Sequence, residues 1–281
     1  MAVGGLFDLF RGPRAAVGPG GQMSLADHFR ELRARLLKSA LAIVVATALS
    51  FFFYGQLIEL VTGPYNQARD MLGSSTVTEI YVSGVGGGLL IQLKLCALSG
   101  VVISSPVWLY QIWAFVLPGL HANERRWTMV FVVIAGPLFA AGIAVGYYVL
   151  PKGLKVLIGF TPAGMTNLND FDDFFSFITR MLLVFGIAFE IPFFVVLLNL
   201  AGVVSGRTLA NYRPWIVLGT FVFAAVATPS TDPFSMLMLA IPMLALFLVS
   251  EVIARLVDRR RARRTAARST DQWADDEASP I

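Results

Sequence analysis

The sequence predicts an all-α integral membrane protein with six transmembrane helices. Of its 281 residues, 56% are hydrophobic and only 14% are charged, whereas an ordinary soluble domain carries about 25% charged residues. Long apolar stretches follow one another with short polar gaps between them. The polar-apolar alternation that a membrane β-barrel requires is missing from these stretches. Helices are therefore predicted throughout the membrane region.

Six apolar segments are long enough to consider as spans, because a spanning helix needs roughly 20 mainly apolar residues to satisfy its backbone in hydrocarbon. They cover residues 36–54, 89–117, 129–150, 174–200, 215–228 and 234–253. Prolines lie inside four of the apolar runs, at Pro106, Pro137, Pro192 and Pro242. Neighbouring helices can satisfy the carbonyl groups that these prolines free, so we expect kinked helices and no breaks.

The fifth segment is short for a spanning helix. Its 14 residues reach roughly 21 Å, against a hydrocarbon thickness of about 30 Å. Two explanations stay open. In the first, the bilayer thins locally or the segment does not span it fully. In the second, the flanking Arg213, Trp215 and Thr228 sit among the lipid headgroups.

The basic residues predict the orientation. With six spans both termini share one side, and that side collects 17 of the 22 lysines and arginines. Because loops rich in lysine and arginine stay cytoplasmic, both termini are expected in the cytoplasm. The arginine cluster between Arg255 and Arg268 is better explained as a topology anchor than as a nucleic-acid site, although it can contact anionic lipid.

We predict three parts in the chain: a flexible lead over residues 1–22, the membrane domain over residues 23–256, and an unstructured tail over 257–281 that is first basic and then acidic. Enzymatic function is not expected, because the sequence contains no Gly-rich phosphate loop before a helix, no HExxH motif and no GxSxG elbow. Two histidines and the single Cys96 are poor material for a metal site. No cofactor is predicted.

Glu190 is the most informative single residue. It lies in "FGIAFEIPFF", residues 185–194, inside the fourth span. A charged carboxylate at the bilayer centre costs about 2.5–3.5 kcal/mol on insertion scales, so such residues usually face a cavity or a partner and have a function. Pro192 also leaves the carbonyl of Ala188 without its helical donor. The structural alternative is a neutral Glu190 that is hydrogen-bonded within the bundle.

Two further acids stand at the ends of spans. Glu31 lies in an amphipathic, charge-rich helix that leads into the first span, and Glu124 lies in "PGLHANERRW" between the second and third spans. Taken alone, Glu31 is explained as an ion-pair partner of neighbouring arginines, and Glu124 as a carboxylate near a helix N-terminus. Asp232 is similarly explained as an N-cap before Pro233. Gly142 and Gly146 permit close helix packing.

Taken together, five stretches resemble the TatC family, the multispanning core of the twin-arginine protein translocase. They are "HFRELRARL", "TGPY", "SSPVWLYQIWAFVLPGLHANERR", "FGIAFEIPF" and "ATPSTDPFSMLMLAIP", in this order between about residues 25 and 256. The resemblance implies six helices in a curved, cup-like bundle, with short fifth and sixth helices and both ends cytoplasmic. It also implies a multi-pass protein of the cytoplasmic membrane that recognises twin-arginine signal peptides of folded precursors and uses the proton-motive force.

The resemblance assigns roles residue by residue. Glu31, Glu124, Arg33, Phe115 and Arg126 match the family's signal-peptide binding positions, and Pro64 and Asp232 match positions that serve packing or assembly. Glu190 matches an acid on the concave face of the cup, exposed towards the bilayer interior. Thr228 and Met236 are expected to contact a partner helix. The implied partners are single-span TatA-like and TatB-like proteins, further copies of the chain, and membrane lipid.

Two other functions remain open at this stage. A proton-coupled secondary transporter would use Glu190 as its coupling carboxylate, but it would need paired broken helices in its two halves and gives no reason for the cytoplasmic acids. A structural scaffold would tolerate substitution of these acids.

Overall fold

The computed structural model describes residues 25–73, 77–116, 124–162, 164–200, 202–227 and 233–271. Nine helices and two short strands lie in these ranges: α1 (Leu25–Ser50), α2 (Tyr54–Leu72), β1 (Thr78–Tyr81), α3 (Gly87–Ile103), α4 (Ser105–Val116), α5 (Glu124–Gly159), β2 (Asn167–Asp170), α6 (Phe171–Leu200), α7 (Gly206–Asn211), α8 (Arg213–Ala227) and α9 (Pro233–Asp271). A 3₁₀ turn, Phe51–Phe53, joins α1 to α2.

The helices agree with the predicted membrane class. Four are long and apolar enough to cross a bilayer, and the number is five if the bent pair α3–α4 is one span. The shorter apolar helix α8 covers the fifth predicted segment. Each of the six predicted segments thus lies on a helix or a helix pair. With 15 residues, α8 is about 22 Å long, which agrees with the short fifth helix of the prediction.

The sixth predicted helix is longer than expected. α9 has 39 residues and continues to Asp271, well past the apolar segment that ends at residue 253. The predicted unstructured tail is corrected over residues 257–271 as well, since these are helical. Arginine and alanine are strong helix formers, and extending an existing helix avoids the cost of nucleation. The rest of the tail and the predicted lead lie outside the described residues.

Three of the four prolines behave as predicted. Pro137, Pro192 and Pro242 lie inside continuous helices. Pro106 differs, because the second predicted span is divided at Ser104 into α3 and α4, which meet at a bend of 55°. The Ser104 hydroxyl donates to the carbonyl of Gly100 at 2.6 Å, and the Trp108 indole donates to the carbonyl of Val101 at 2.8 Å. The Ser104 amide also donates to the Gly100 carbonyl at 3.0 Å, so side chains add hydrogen bonds to the backbone at the bend.

The sequence analysis did not predict the small sheet. β1 and β2 pair in parallel, with Thr78 opposite Asn167 and Tyr81 opposite Asp170. The Tyr65 hydroxyl lies 2.7 Å from the Thr78 hydroxyl and links α2 to β1. Strands of four residues are too short to show a period-2 pattern, so only the tertiary structure brings these two connecting segments together.

The core lies between α2, α3, α5, α6 and α9. Its centre is Phe185 of α6, whose backbone packs against Gly142 of α5: a Cβ atom at Gly142 would lie 2.5 Å from the Phe185 carbonyl oxygen. A Cβ atom at Gly146 would likewise lie 3.1 Å from the side chain of the same phenylalanine. The close packing that we predicted from these two glycines is confirmed. Along the bundle, α1 contacts α3 and α4, and α4 contacts α5. α5 in turn contacts α6, α6 contacts α9, and α9 contacts α8.

Candidate functional site

Two candidate sites follow from the sequence, and the first is at the end of the bundle where α1 begins and α4 ends. We call it the α1–α4 end, and it comprises His28, Glu31, Arg33, Arg35 and Phe115. The rings of His28 and Phe115 stack with their centroids 4.5 Å apart and an interplanar angle of 23°. Since His28 and Glu31 are one turn apart on α1, this stack holds Glu31 beside the last turn of α4.

Glu31 has a partner within α1. Arg35 donates from Nε at 2.9 Å and from Nη2 at 2.5 Å to the same carboxylate oxygen, Oε1. The two side chains are mostly buried, with exposed fractions of 16% for Glu31 and 21% for Arg35. An ion pair is therefore observed at Glu31, but it is formed with Arg35 one turn later and is mostly buried, where the sequence predicted a solvated pair with the flanking Arg30 and Arg33. Arg33 is exposed on the same helix.

Glu124 is the first residue of α5, which agrees with its predicted place at a helix N-terminus. Arg126 follows within the first turn of the same helix. The side chains of Glu124 and Arg126 are outside the described residues, as is the segment 117–123 that joins α4 to α5. The structure thus places Glu31 one helical turn from the His28–Phe115 stack and gives no distance to the second acid.

The second candidate site surrounds Glu190 on α6. The resemblance implies an exposed carboxylate, and this is corrected: Glu190 is only 8% exposed. The Trp113 indole of α4 lies beside the carboxylate, and Trp113 itself packs on Phe193 at a centroid distance of 5.2 Å. Neither oxygen of Glu190 has a partner at normal hydrogen-bond geometry among the described residues, nor does Oε1 of the buried Gln111.

This arrangement is chemically unusual because buried carboxylates are ordinarily hydrogen-bonded. Aromatic rings cover Glu190 on the side of α4, so water and lipid have little access to it. Glu190 therefore neither faces an open cavity nor is fully hydrogen-bonded within the bundle. The acid is enclosed, but its hydrogen-bonding capacity is largely unused. Trp113 and Phe115 are two residues apart on α4, so one helix touches both candidate sites.

Pro64 has a clear structural role. It lies buried inside α2, and, having no amide hydrogen, it cannot bond the carbonyl of Leu60. The Tyr147 hydroxyl of α5 donates to this carbonyl at 2.9 Å. The proline therefore opens an acceptor that ties α2 to α5.

The remaining predicted residues lie near the start of α9. Met236 is partly buried and packs against the main core. The start of α9 at Pro233 agrees with the sequence prediction. Thr228 and Asp232 are outside the described residues, so their assigned roles stay predictions.

The sequence analysis missed an ion cluster that joins α8 to α9. Arg213 donates to Glu251 from Nη2 at 2.7 Å and from Nε at 3.1 Å, and Arg255 lies 2.5 Å from the same carboxylate. The Glu251 side chain is only 3% exposed. The signal was present, since Glu251 is an acid in the apolar run "LFLVSEVIARL" with Arg255 four residues later.

A second missed cluster lies beside the small sheet. Asp170 accepts a hydrogen bond from the Ser83 hydroxyl at 2.6 Å and from the amide of Asp172 at 2.8 Å, while Asp172 pairs with Lys94. The pKa of Asp170 lies below its usual value, chiefly because of the Ser83 hydrogen bond and next because of the hydrogen bond from the Asp172 amide. Asp170 thus caps the N-terminus of α6, and Asp172 has an ionic partner in addition.

The comparisons with known proteins agree with this geometry. The family model of the Sec-independent protein translocase protein (TatC) matches residues 27–242. A TatC protein of Frankia casuarinae is 41% identical over 267 residues, which cover 92% of this chain and 73% of the relative. One of Xylanimonas cellulosilytica is 38% identical and covers 90% of this chain and 92% of the relative.

Among solved structures, a crystal structure of the twin arginine translocase receptor TatC superposes with a TM-score of 0.70. It is 32% identical, and the match covers 82% of this chain and 98% of that one. The family model spans well over half of the chain, and the relatives match along most of their own length. The chain therefore belongs to the TatC family of Sec-independent protein translocase proteins.

Proposed function

We propose that this protein is the signal-peptide receptor and core subunit of a twin-arginine translocase in the cytoplasmic membrane, with both termini in the cytoplasm. The positive-inside distribution of 17 of 22 basic residues supports this orientation. The relatives' names supply the reaction class, which is translocation without enzymatic chemistry on the cargo.

The α1–α4 end is the proposed binding site for the arginine pair. The observation that carries the proposal is the His28–Phe115 stack, because it fixes the turn of α1 that bears Glu31 against the end of α4. A guanidinium group binds a carboxylate through two parallel hydrogen bonds, whereas lysine offers only a point charge. Glu31 already accepts a guanidinium from Arg35, so the geometry around it suits arginine.

Glu124 supplies the second carboxylate of the proposed site, since α5 begins there. Arg33 and Arg126 are proposed to orient the peptide backbone or the loop around it. A signal-peptide arginine would then either replace Arg35 on Glu31 or use the second oxygen, Oε2, of the same carboxylate.

The translocase partners are proposed to bind along the membrane. TatA-like and TatB-like single-span proteins would contact the α8–α9 hairpin around Thr228 and Met236. In this hairpin α8 is shorter than the hydrocarbon core of the bilayer is thick. Pro64 and Asp232 serve packing and assembly, and further copies of the chain complete the complex. Glu190 is proposed to respond to a polar group of a partner helix during transport driven by the proton-motive force. No nucleic acid is involved.

The test is transport of a folded reporter that carries a twin-arginine signal, with receptor levels in the membrane measured by immunoblot. Glu31→Ala and Glu124→Ala should abolish transport while the receptor stays in the membrane. Glu59→Ala is the matched control, because Glu59 is an exposed glutamate near the start of α2, far along the chain from both acids. Normal transport by both acid variants would refute the proposed site.

Crosslinking separates recognition from assembly. A photo-reactive residue at position 115 should capture a signal peptide with two arginines and not one with two lysines. Equal capture of both peptides would show that Phe115 contacts the peptide without the carboxylates selecting arginine.

A proton-coupled transporter is the second candidate, and the enclosed Glu190 is the observation in its favour. That class usually has broken helices in both halves. The described residues contain one bent helix pair, α3–α4 in the first half, so the second element of a repeat is not found in this part of the chain.

A further inference from the structure

We propose that a groove between α1 and the bent pair α3–α4 binds one acidic phospholipid, with its phosphate at Lys38 and its acyl chains along the groove. This groove, called the α1 groove below, has a volume of about 780 Å³. Its walls include Leu41, Val45 and Leu49 of α1, and Ile103 and Val107 beside the bend. The inference is independent of the proposed signal-peptide site.

The bend between α3 and α4 produces the groove. α1 touches α3 closely where Thr47 meets Gly100, since a Cβ atom at Gly100 would clash with both the hydroxyl oxygen and the backbone of Thr47. Beyond this contact the chain turns by 55° at Ser104, while α1 continues as one helix. The two walls therefore separate and leave a space that side chains of the described residues do not fill.

The part of the groove that lies along α1 has the depth of one bilayer leaflet, and its lining continues to Phe53 and Leu57. Lys38 and Ser50 both line it, and Ser50 follows Lys38 by 12 positions, which is about 18 Å along a helix. Half of a hydrocarbon core of about 30 Å is about 15 Å. With Lys38 at headgroup level, acyl chains that extend to Ser50 would thus reach the bilayer midplane.

The interior of the groove offers no polar group to a ligand. The two serines in its lining are satisfied by their own helices: Ser50 donates to the carbonyl of Ala46 at 2.8 Å, and Ser104 to that of Gly100 at 2.6 Å. Its walls are otherwise apolar apart from Lys38. An occupant must therefore be apolar along its length and polar only at the Lys38 end.

The mouth of the groove selects for negative charge. Lys38 has no carboxylate within ion-pair distance among the residues whose side chains are described, and the Glu31 carboxylate, two turns earlier on α1, is bound to Arg35. Arg33 adds a further positive charge on the same turns of α1. An ammonium group at the membrane surface attracts a phosphate as a point charge.

A transmembrane helix fits the groove less well than lipid does. The wall opposite α1 bends by 55° at Ser104, so a straight helix could follow only part of it. Acyl chains are much thinner than a helix and can follow the bent wall. Among the four long candidate spans, the one that begins with α1 is also the least covered by protein, with 11% of its apolar window buried against 33–39% in the others.

The experiment measures lipid retention by the purified full-length protein. Delipidated protein in detergent is incubated with phosphatidylglycerol or phosphatidylcholine, and bound lipid is counted by native mass spectrometry. Wild type should retain one phosphatidylglycerol in preference to phosphatidylcholine. Lys38→Gln should weaken phosphatidylglycerol retention about fivefold, the effect of one lysine near a membrane surface, and remove the preference between the lipids.

Two further variants test the groove itself. Ala42→Trp, at a residue in its lining, should abolish retention of both lipids, while Val44→Trp on the exposed opposite face of α1 should behave as wild type. Lys155→Gln, an exposed lysine on α5, is the charge control. Monodisperse elution of every variant checks folding.

Equal retention of the two lipids by wild type, or equal loss in Lys38→Gln and Lys155→Gln, would overturn the proposal. A photo-reactive residue at position 45 then identifies the occupant of the groove in native membranes. Capture of phospholipid supports the inference, and capture of a signal peptide or of a single-span partner in its place would overturn it.

Discussion

The Tyr147 hydroxyl of α5 donates to the backbone carbonyl of Leu60 in α2 at 2.9 Å. This carbonyl is available because Pro64, four residues later, has no amide hydrogen to bond it. A proline that would weaken an isolated helix thus creates the acceptor that fixes two helices to each other.

We predict that Tyr147→Phe lowers the free energy of unfolding by about 0.5–1.5 kcal/mol, the usual worth of one hydrogen bond. The cost should shrink in a Pro64→Ala background, since alanine restores a backbone N–H that can bond the Leu60 carbonyl. Thermal unfolding of the purified protein in detergent measures both backgrounds. Tyr148→Phe is the control, because Tyr148 is exposed and its ring retains the contact with Lys152. An unchanged cost of Tyr147→Phe beside Pro64→Ala would contradict this account.

Gly142 and Gly219 should respond to alanine with opposite signs. A Cβ atom at Gly142 would meet backbone atoms of Phe185 and Gly186 at 2.5–3.0 Å, so we expect Gly142→Ala to lower the free energy of unfolding by about 1–3 kcal/mol. Gly219 lies inside α8 with nothing within 4 Å of the Cβ position, and Gly219→Ala should gain about 0.5–1 kcal/mol from the lower entropy of the unfolded chain. Unfolding midpoints of the two variants, measured side by side, decide whether the signs differ.

The Glu251 cluster should anchor α8. Arg213→Ala removes two hydrogen bonds to the buried Glu251 carboxylate, and we expect the variant to melt at a lower temperature than wild type. The decrease is limited because Arg255 remains on Glu251. Arg260→Ala, at an exposed arginine of α9, serves as the control. Equal stability of the two variants would show that the cluster contributes nothing.

The Ser83–Asp170 hydrogen bond predicts a pH dependence. The folded protein holds the pKa of Asp170 below its ordinary value, chiefly through this bond, so the stabilisation is fully present above the unfolded pKa of about 4 and is lost as the pH falls through the folded pKa. Ser83→Ala should therefore melt below wild type at pH 7, with the two curves converging as the pH falls below the folded pKa of Asp170. Asp170→Asn should remove the pH-dependent part of the difference. A constant gap between wild type and Ser83→Ala at every pH would contradict the linkage.

Glu190 should matter for transport more than for folding. Glu190→Gln keeps the shape and the hydrogen-bonding groups of a neutral acid, so we expect a normal melting temperature with reduced transport of a twin-arginine reporter. Glu190→Leu should reduce transport further, because leucine offers no polar group to the Trp113 indole. If the leucine variant transported as well as wild type at equal membrane levels, Glu190 would have no role in the mechanism.

Much of the membrane fold could be predicted because bilayer physics acts on each segment separately. An apolar run of about 20 residues must become a helix in hydrocarbon whatever its neighbours are, so all six predicted segments are helical and even the short fifth one was identified. Glu190 was found for the same reason, since an acid in such a run stands out among its apolar neighbours in the sequence. The family resemblance, carried by contiguous motifs, was confirmed by the comparisons.

Tertiary structure decided what depends on contacts between distant residues. Ser83 and Asp170 are 87 positions apart, and so are Tyr147 and Leu60; no local pattern pairs them. The enclosure of Glu190 by Trp113, the α1 groove and the small sheet follow from how helices and loops meet, and the extension of α9 to Asp271 follows from helix propagation beyond the bilayer. The sequence by itself determined which segments enter the membrane, because hydrophobic burial is a property of each segment. The structure alone decided how those segments bend and pair, because that depends on the shapes they present to one another.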